Sequence, residues 1–468
     1  RPIYAIYRNV LTRVGVPVYD AYLIDVGEGY EARENANLQP NPETSHKKKG
    51  DKVSKEEYLL LMEPRLADAH LKGDLHIHDL EYFGTRPFCL TDDTVLLARV
   101  NGELRLLTVR ELLEGLNYRV EKGLETARPF GIELLTPKGF TKVVKVTRRK
   151  VNKVLRIVTE RGRFVELTAD HVVPVADLGF LRARDLKPGF KLYVLDPSFS
   201  WILNGSSTKV DDVEVTPTLA KAIGLFIADG NYDYEESGFY NVAFTFGLRQ
   251  PALAEFKSLV EELGWRYTSY SHEHRGNKSI QCFVTGKEVF KLLRERLKVK
   301  GEGAPKKELP NWVIKLPKER VVALIQALIE GDGHVHVSKR SGVLISISST
   351  SKVLIQQLHV ILTLLGITPY VYKRIRAGAK TRKKSGEEIT TRHDVWTLVI
   401  QGKSEVRKAL DLGLIPSNAE VEVKEWLRKS PVNKKLRARD EVVKEVEELP
   451  YNGYVYDIYL DDVHVFYA

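Results

Sequence analysis

Two apolar segments, each ending in an aspartate followed by a glycine, constrain the fold of this chain more than any other feature. The first spans Ala222–Gly230 and the second spans Ile325–Gly333. Because both are rich in small and branched apolar residues, they predict two helices that pack closely side by side. Each glycine is suited to end its helix. Asp229 and Asp332 would then lie together at the negative ends of two helix dipoles, a poor place for structural carboxylates.

A divalent cation would relieve this repulsion, because hard cations bind clustered carboxylate oxygens. Two carboxylates that hold Mg²⁺ beside a basic surface indicate phosphodiester hydrolysis. For one copy, a solvated residue at a helix end would be the better interpretation. Two copies of the aspartate-terminated helix favour a metal-binding site instead. The formal net charge of +10 suits a polyanionic partner, although a merely basic protein would explain the charge equally well.

Each aspartate helix opens one round of a repeated pattern, which predicts an α+β module of two αββαββα-like repeats at about 215–300 and 318–415. The segment Thr285–Val289 is echoed by Gln401–Val406. The predicted helices are Pro217–Ala228, Ala252–Leu263, Lys287–Leu297, Arg320–Ile329, Lys352–Leu365 and Ser404–Leu410. The predicted strands are Asn241–Leu248, Arg266–Ser271, Ser279–Val284, Val343–Ser348, Tyr370–Arg376 and Val395–Ile400.

Short β-rich segments flank this module. Strands are predicted at Thr94–Val100, Thr141–Thr147, Lys153–Thr159 and Arg163–Thr168, and strand-like sequence returns after Asp440. The chain is therefore expected to be of mixed class, with an all-β domain at 89–200 and 439–468 split by an inserted module at 201–438. Residues 1–88 differ in character. They are expected to be mostly helical, with one helix at Lys55–Glu63 that follows a capping-box spacing.

The two aspartate helices resemble the paired LAGLIDADG motifs of homing endonucleases. Ile227 and Glu330 depart from the motif at its middle acidic position, and Ala327 replaces a small glycine. The resemblance implies that Asp229 and Asp332 are catalytic acids that bind Mg²⁺. It also implies that the module acts on double-stranded DNA as a pseudo-symmetric monomer.

The segment Lys306–Pro310 resembles the block that precedes the second motif in this family, where a lysine assists catalysis. Lys307 is the predicted residue, and Lys306 is the alternative. The family lays β-strands in the DNA major groove, so basic residues of the strand arms are candidate DNA contacts, although such a charge run also fits a solvated loop. These candidates are Arg266, Arg275 and Lys278 in the first repeat and Lys373, Arg374, Arg376, Lys380, Arg382, Lys383 and Lys384 in the second.

Four segments of the β-rich parts resemble the sequence blocks of inteins. Cys89–Leu97 is similar to the first block, Gly162–Pro174 to the second with its Thr-x-x-His, and Val455–Leu460 with His464–Ala468 to the penultimate one. Together they imply the horseshoe-like, all-β Hint splicing fold.

The resemblance implies protein splicing without a cofactor. Cys89 would attack the carbonyl of the preceding residue and replace the amide by a thioester. His171 would donate a proton to the leaving nitrogen, and Thr168 would polarise or strain the scissile bond. Asp457 would activate Cys89 and couple the first step to the next, and His464 would act in the later steps.

Inteins end in a short block that closes with His-Asn, followed by a cysteine, serine or threonine of the host. This sequence ends at Ala468, directly after the penultimate block. We therefore expect thioester formation and N-terminal cleavage in this polypeptide, but no ligation.

Residues 1–88 are expected to be host protein, an N-extein. The segments Arg33–Gln39, Gly73–Tyr82 and Thr85–Phe88 resemble anaerobic (class III) ribonucleoside-triphosphate reductase. The expected partners are thus the host reductase chain and, as DNA target, the intein-free host gene around the codons for Phe88.

Two other functions remain open on the sequence. One is an intein whose endonuclease has decayed into a DNA-binding module, and the other is a reductase subunit with a regulatory insertion at 89–468. No signal peptide and no run of eighteen apolar residues occurs, so no membrane partner is expected. The two cysteines, Cys89 and Cys282, fit a reducing, cytoplasmic setting.

Overall fold

The computed structural model describes most of the chain after residue 88. The described residues are 89–121, 124–176, 178–235, 238–247, 251–274, 277–301, 303–338, 342–382, 388–429, 440–461 and 465–468, with the backbone of three short strands before them. Two compact units result. The first comprises Arg1–Glu103, Leu107–Val194 and Ala438–Ala468, and the second comprises Leu104–Leu106 and Leu195–Arg437.

The described backbone of the first 88 residues is β-structure rather than helix. Strands β1 (Ala21–Asp25), β2 (Tyr30–Glu34) and β3 (Lys52–Val53) form a three-stranded antiparallel sheet in that order. The prediction of a mostly helical segment is therefore wrong for these residues. The helix predicted at Lys55–Glu63 lies outside the described residues.

One twelve-stranded antiparallel sheet builds the rest of the first unit. Its strands are β4 (Leu90–Thr91), β5 (Val95–Val100), β6 (Glu103–Thr108), β7 (Arg119–Glu121), β8 (Leu124–Ala127), β9 (Ile132–Thr136), β10 (Gly139–Thr159), β11 (Phe164–Leu167), β12 (Val172–Val175), β13 (Gly179–Arg182), β14 (Lys191–Tyr193) and β27 (Asp440–Leu460). The main path runs β13-β12-β14-β27-β4-β11-β10-β9-β5-β6. A short helix, α1 (Val109–Leu113), begins at a Thr108–Glu111 capping box.

Two strands of 21 residues, β10 and β27, pair along almost their whole length and organise this sheet. The sequence predicts two strands where the structure has β10 alone. The polar run Arg148–Asn152 interrupts the apolar alternation, but β27 supplies hydrogen-bond partners throughout, and irregular register near residues 143–145 and 151–153 absorbs the bend. Apolar clusters lie on this framework, one around Leu96, Leu134 and Val146 and one around Leu155, Ile157 and Leu167.

The second unit repeats one topology. Its helices are α2 (Pro217–Asp229), α3 (Pro251–Glu262), α4 (Lys287–Lys291), α5 (Lys318–Asp332), α6 (Lys352–Leu364), α7 (Lys403–Asp411) and α8 (Glu420–Arg428). Its strands are β15 (Lys209–Val210), β16 (Val213–Glu214), β17 (Gly230–Glu235), β18 (Phe239–Gly247), β19 (Tyr267–His274), β20 (Asn277–Thr285), β21 (Gly333–Ser338), β22 (Gly342–Ser349), β23 (Tyr370–Ile375), β24 (Lys380–Arg382), β25 (Glu388–Thr390) and β26 (Val395–Gln401).

Two four-stranded sheets, β17-β18-β20-β19 and β21-β22-β26-β23, have the same strand order. Each sheet begins with a strand, β17 or β21, that directly continues an aspartate helix. Neither strand is among those predicted from the sequence, and helix α8 is not predicted either. After α4, the segment Leu292–Arg296 winds on as a π-helix rather than continuing the predicted α-helix. Among the described residues, no helix has the length and apolar character needed to cross a membrane.

The glycines that follow the two aspartates end their helices by close approach rather than by a left-handed turn. Gly230 and Gly333 both have extended backbone, with φ of −90° and −78°. A Cβ at Gly230 would lie 2.4 Å from the Phe226 carbonyl oxygen, and one at Gly333 would lie 2.2 Å from that of Ile329. Glycine is needed here because the chain turns from helix into strand within one residue.

Helices α2 and α5 pack against each other through their smallest residues. A Cβ on Gly224 would lie 2.2 Å from the Leu324 carbonyl oxygen and 3.0 Å from the Ala327 Cβ. Near the aspartates, a Cβ on Gly331 would lie 2.6 Å from the Ala228 Cβ. Backbone therefore meets side chain directly, and Ala327, a departure from the sequence motif, is the partner of Gly224 across the interface.

Gly224→Val is expected to lower the free energy of unfolding of the second unit by roughly 1–3 kcal/mol, because the added carbons meet backbone that cannot yield. All five tryptophans belong to this unit, so tryptophan fluorescence in a denaturant titration follows it selectively. Ser258→Val, on the exposed face of α3, is the control and should change the value by less than about 0.5 kcal/mol. Equal effects of the two substitutions would contradict the close packing.

Candidate functional site

The two aspartates form a half-buried pair at the joint ends of α2 and α5. Asp229 is the last residue of α2, and Asp332 is the last residue of α5. Burial raises the pKa of Asp229. Burial, followed by the charge of Asp229, raises the pKa of Asp332 from 3.8 to about 7. The fold therefore holds two carboxyl groups where they repel each other.

Lys307 supplies positive charge to this pair. Its ammonium lowers the pKa of both carboxyl groups, and its Nζ donates a hydrogen bond to the carbonyl oxygen of Ala228 at the end of α2. Burial lowers the pKa of Lys307, and the charges of Asp332 and Asp229 oppose that shift. Lys306, the alternative from the sequence, is exposed. The structure thus brings Lys307 to the carboxylates.

Helix α6 holds the segment that carries Lys307. Ser351, the N-cap of α6, donates through its hydroxyl to the Lys307 carbonyl oxygen at 2.6 Å. The fully buried amide of Gln357 accepts from the Leu309 backbone N–H at 2.7 Å and donates to the Leu309 carbonyl oxygen at 3.2 Å. Sequence reasoning missed both residues, because a serine cap and a buried glutamine resemble ordinary helix residues.

The donor set fits a cation that takes only part of its ligands from protein. Within the ranges described above, no group of three or more histidine, cysteine, aspartate or glutamate side chains could hold a metal ion. Asp229 and Asp332 offer two carboxylates that lack full charge compensation. Mg²⁺ commonly binds through one or two carboxylates and completes its octahedron with water and phosphate oxygens. The pair fits such an ion with a phosphate ligand.

Glu330, which departs from the sequence motif at its middle acidic position, has a structural role. Its carboxylate is buried and accepts hydrogen bonds from the Ser417 backbone N–H at 3.2 Å and from the Ser417 hydroxyl at 2.8 Å. These bonds tie α5 to the loop after α7. The equivalent position in α2 is Ile227, which is fully buried among apolar residues.

Each four-stranded sheet has one face against its helices and one open face. On the packed face of the first sheet, Phe244 and Phe246 contact Phe256 of α3. On the open faces, Tyr270 is 57% exposed and Tyr372 is 50% exposed, and these two residues hold equivalent places in the two repeats. The cross-strand rows that contain them are Thr245–Gln281–Tyr270 and Ser348–Thr397–Tyr372.

The candidate DNA-contacting residues have different surroundings. Arg266, Arg374 and Arg376 are exposed. Lys373 pairs with Asp394 at 2.8 Å, and its Nζ lies 5.0 Å from the centroid of the Trp396 ring. Lys380, at the start of the β24–β25 hairpin, lies 3.7 Å from Glu388. The remaining candidates lie outside the described residues or on strands whose side chains are not described: Arg275, Lys278, Arg382, Lys383 and Lys384.

Cys89 in the first unit is fully buried between two strands. It directly precedes β4, in which Leu90 pairs with Leu167 of β11 on one side and with Tyr456 of β27 on the other. One residue further along the antiparallel register, Cys89 lies beside Asp457, which is 3% exposed. The topology thus joins residues that are far apart in sequence.

A tight turn positions Thr168 and His171 next to Cys89. The Cys89 backbone N–H donates to Thr168 Oγ1 at 3.3 Å, and the Thr168 N–H donates to the Cys89 carbonyl oxygen at 3.0 Å. The His171 N–H closes the turn on the Thr168 carbonyl oxygen at 2.9 Å. An ion pair of Arg184 with Asp170 at 2.7 Å braces the turn. His464 lies outside the described residues.

Two groups of opposite charge act on the Cys89 thiol. Burial and then the Asp457 carboxylate raise its pKa far above the ordinary value, whereas Arg149 of β10 lowers it by charge and by a hydrogen bond. Sequence reasoning missed Arg149, which stands in the basic run Arg148–Lys150. It also missed Thr147, a buried residue paired directly opposite Asp457. The long β10–β27 pairing brings Arg149 to the thiol and Thr147 to Asp457.

Two family models match parts of the chain. The model of anaerobic ribonucleoside-triphosphate reductase matches residues 34–99, and that of the LAGLIDADG-like domain matches residues 319–411. The second match contains Asp332 and the sheet that follows it. The first match runs past Cys89 into β5.

Proteins with quite different names are similar to this chain over most of its length. A DNA polymerase of Thermococcus hydrothermalis is 24% identical over 84% of this chain and 24% of its own length. The replication factor C small subunit of Methanocaldococcus jannaschii is 22% identical over 81% of this chain and 23% of its own length. The chain spans about a quarter of the length of its first curated relatives. A segment shared by proteins with such different names is an inserted element.

This chain is an intein with a LAGLIDADG-type domain, inserted in an anaerobic ribonucleoside-triphosphate reductase. Transcription initiation factor IIB of Methanocaldococcus jannaschii is 28% identical over 52% of the intein chain and 35% of its own length. Among solved structures, a transcription factor IIB mini-intein has a TM-score of 0.22 at 24% identity, covering 23% of this chain and 69% of that one. I-DmoI in complex with DNA and calcium has a TM-score of 0.30 at 16% identity, covering 44% and 98%.

Without divalent cations, the second unit is expected to become less stable as the pH rises. The pKa of Asp332 is raised from 3.8 to about 7 in the fold, so the unfolded chain releases this proton more readily than the native one. The penalty is absent below about pH 4, grows up to about pH 7 and is complete above it. Denaturant titrations with tryptophan fluorescence in a chelator should show this trend.

Asp332→Asn should flatten the pH trend and raise stability at pH 8, and Mg²⁺ should restore stability to the unsubstituted chain at that pH. Asp233→Asn, on exposed β17, is the charge-matched control. A trend that survives unchanged in Asp332→Asn would show that another group is responsible.

Proposed function

We propose that this intein performs two reactions, an autocatalytic acyl shift at Cys89 and metal-dependent cleavage of double-stranded DNA by its LAGLIDADG-type domain. The chief support for the second activity is the half-buried Asp229–Asp332 pair with Lys307. A fold that had lost catalysis would have no reason to keep two carboxyl groups where they repel each other. For the first activity, the chief support is the hydrogen bond between the Cys89 N–H and Thr168 Oγ1.

In DNA cleavage, Asp229 and Asp332 would bind Mg²⁺, which when bound supplies charge stabilisation at the phosphodiester and activates water. Lys307 carries positive charge to the same point, where it stabilises negative charge that develops on phosphate oxygens. The lysine is held by Ser351 and by the Gln357–Leu309 bonds, so its ammonium does not have to be ordered during the reaction.

The two open sheet faces are the proposed DNA-binding surface of a pseudo-symmetric monomer. Side chains on alternate strand positions, including those of Tyr270 and Tyr372, would contact bases. The exposed arginines Arg266, Arg374 and Arg376 would contact phosphates, which fix position but carry no sequence information. By the logic of an inserted element, the target is the intein-free reductase gene at the insertion site.

The test is cleavage of a plasmid that carries the uninterrupted reductase site, with Mg²⁺ and with chelator. Asp229→Asn and Asp332→Asn should each slow cleavage by at least about a hundredfold, since a metal-bound carboxylate supports several kcal/mol of charge stabilisation. Both variants should still retard the DNA in a gel, and Asp411→Asn, at the exposed end of α7, should cleave normally. Specific binding without cleavage by the unsubstituted chain would instead indicate a decayed endonuclease that only binds DNA.

In the acyl shift, the Cys89 sulfur would attack the carbonyl carbon of residue 88. A carbon–sulfur bond forms and the peptide C–N bond breaks. The thiol loses its proton, and the departing nitrogen gains one. Asp457, which lies beside Cys89 in the β4–β27 register, would take the thiol proton. The Thr168 hydroxyl lies 3.3 Å from the nitrogen that becomes an amine, so it can pass on a proton from His171.

Dithiothreitol is expected to release residues 1–88 as a fragment from the purified chain. Cys89→Ala should abolish release, and Thr168→Ala and His171→Ala should each slow it by about a hundredfold or more, as expected for loss of acid–base assistance. Cys282→Ala, which alters the other buried cysteine, is the control and should leave release unchanged. Mass spectrometry of the fragments measures the outcome. Release that persists in Cys89→Ala would refute the assigned nucleophile.

A further inference from the structure

Arg149 occupies a special position on β10. It pairs with Val455 of β27, two residues from the pair of Thr147 with Asp457, so Arg149, Thr147, Val455 and Asp457 all lie on one face of the sheet. Val455 packs with Cys89 in one apolar cluster. The face that carries the acid beside the nucleophile therefore carries a guanidinium as well.

We propose that Arg149 is a further catalytic residue of the acyl shift, which binds the negatively charged sulfur of Cys89 after its proton has passed to Asp457. This assignment rests on the proposed splicing function. The Arg149 guanidinium makes a hydrogen bond to the Cys89 sulfur. Its Nε–H is buried and, within the part of the chain that the structure describes, has no acceptor. A donor is thus left for charge that forms during the reaction.

The neighbouring basic residues have other partners. Arg148, on the opposite face, pairs with Glu125 at 2.5 Å and lies 3.7 Å from the centroid of the Tyr118 ring. Lys150, also on that face, is exposed and lies 5.2 Å from the centroid of the Tyr454 ring. Of the three cations in this run, Arg149 is the one directed at the nucleophile.

The charge balance of the step explains why a cation is needed there. The thiol is fully buried, and a carboxylate stands beside it, so a free thiolate would be both desolvated and repelled. Proton transfer from Sγ to Asp457 neutralises the carboxylate and leaves the charge on sulfur, where Arg149 pairs with it. The sulfur then bonds to the carbonyl carbon, the C–N bond breaks, and the departing nitrogen takes the proton that His171 supplies through Thr168. Two further titratable groups lie near this cluster: the phenol of Tyr451 packs against it, and His171 belongs to the turn that is hydrogen-bonded to Cys89.

The test is the pH dependence of dithiothreitol-induced release of residues 1–88 from the full chain. Arg149→Gln should slow release about tenfold at neutral pH and displace the pH profile upward by about one unit, because an opposite charge at this range shifts a pKa by one unit or more. Arg149→Lys should recover most of the rate. Lys150→Gln, which removes the same charge one residue away on the other face, should leave the profile in place.

The outcomes separate this assignment from the function on which it rests. If the unsubstituted chain releases no fragment at any pH, the splicing proposal itself fails. If it does, but Arg149→Gln and Arg149→Lys lower the rate equally without moving the profile, Arg149 is structural and the assignment is overturned. Circular dichroism confirms that both variants fold, and a displaced profile with rescue by lysine supports the role.

Discussion

Contact between backbone and side chain along the α2–α5 interface is the constraint on which the second unit depends. Gly224 and Gly331 remove the side chains that would hold the helices apart, and the two aspartates come together only because the helices do. The immediate turn into β17 and β21 after each aspartate then starts both sheets from the same point. The packing of the helices, the position of the two aspartates and the direction of the two open faces therefore all depend on this interface.

In the first unit, β-strands rather than helices bring side chains from distant parts of the chain together around Cys89. The paired strands β10 and β27 act as a common backbone, and β4 enters between β27 and β11. Cys89 consequently contacts groups from the middle and the end of the sequence. Burial suppresses the reactivity of the thiol, and the charges of Asp457 and Arg149 set the conditions under which it ionises.

Patterns with a helical period and local motifs could be predicted from the sequence, whereas pairing between distant strands could not. The helices of both repeats, the aspartates and the Thr168–His171 turn have local signals. Strands β17 and β21 follow directly from helices. No turn residue there marks the change from the helical to the strand periodicity of apolar residues. Arg149 and Gln357 look like a surface charge and an ordinary helix residue, and their roles depend on neighbours that only the tertiary fold provides.

The register of β14 with β27 has a consequence for how such a protein can be assembled. Tyr193 pairs with Asp440, so the chain leaves the first unit and returns to it at neighbouring positions of one antiparallel ladder. Topologically, everything between these residues is the loop of a β-hairpin. Loop-closure entropy grows only slowly with length, so a loop that folds by itself adds little cost. The same ladder could equally be closed by a few turn residues, which makes the inserted domain separable in structure from the sheet that hosts it.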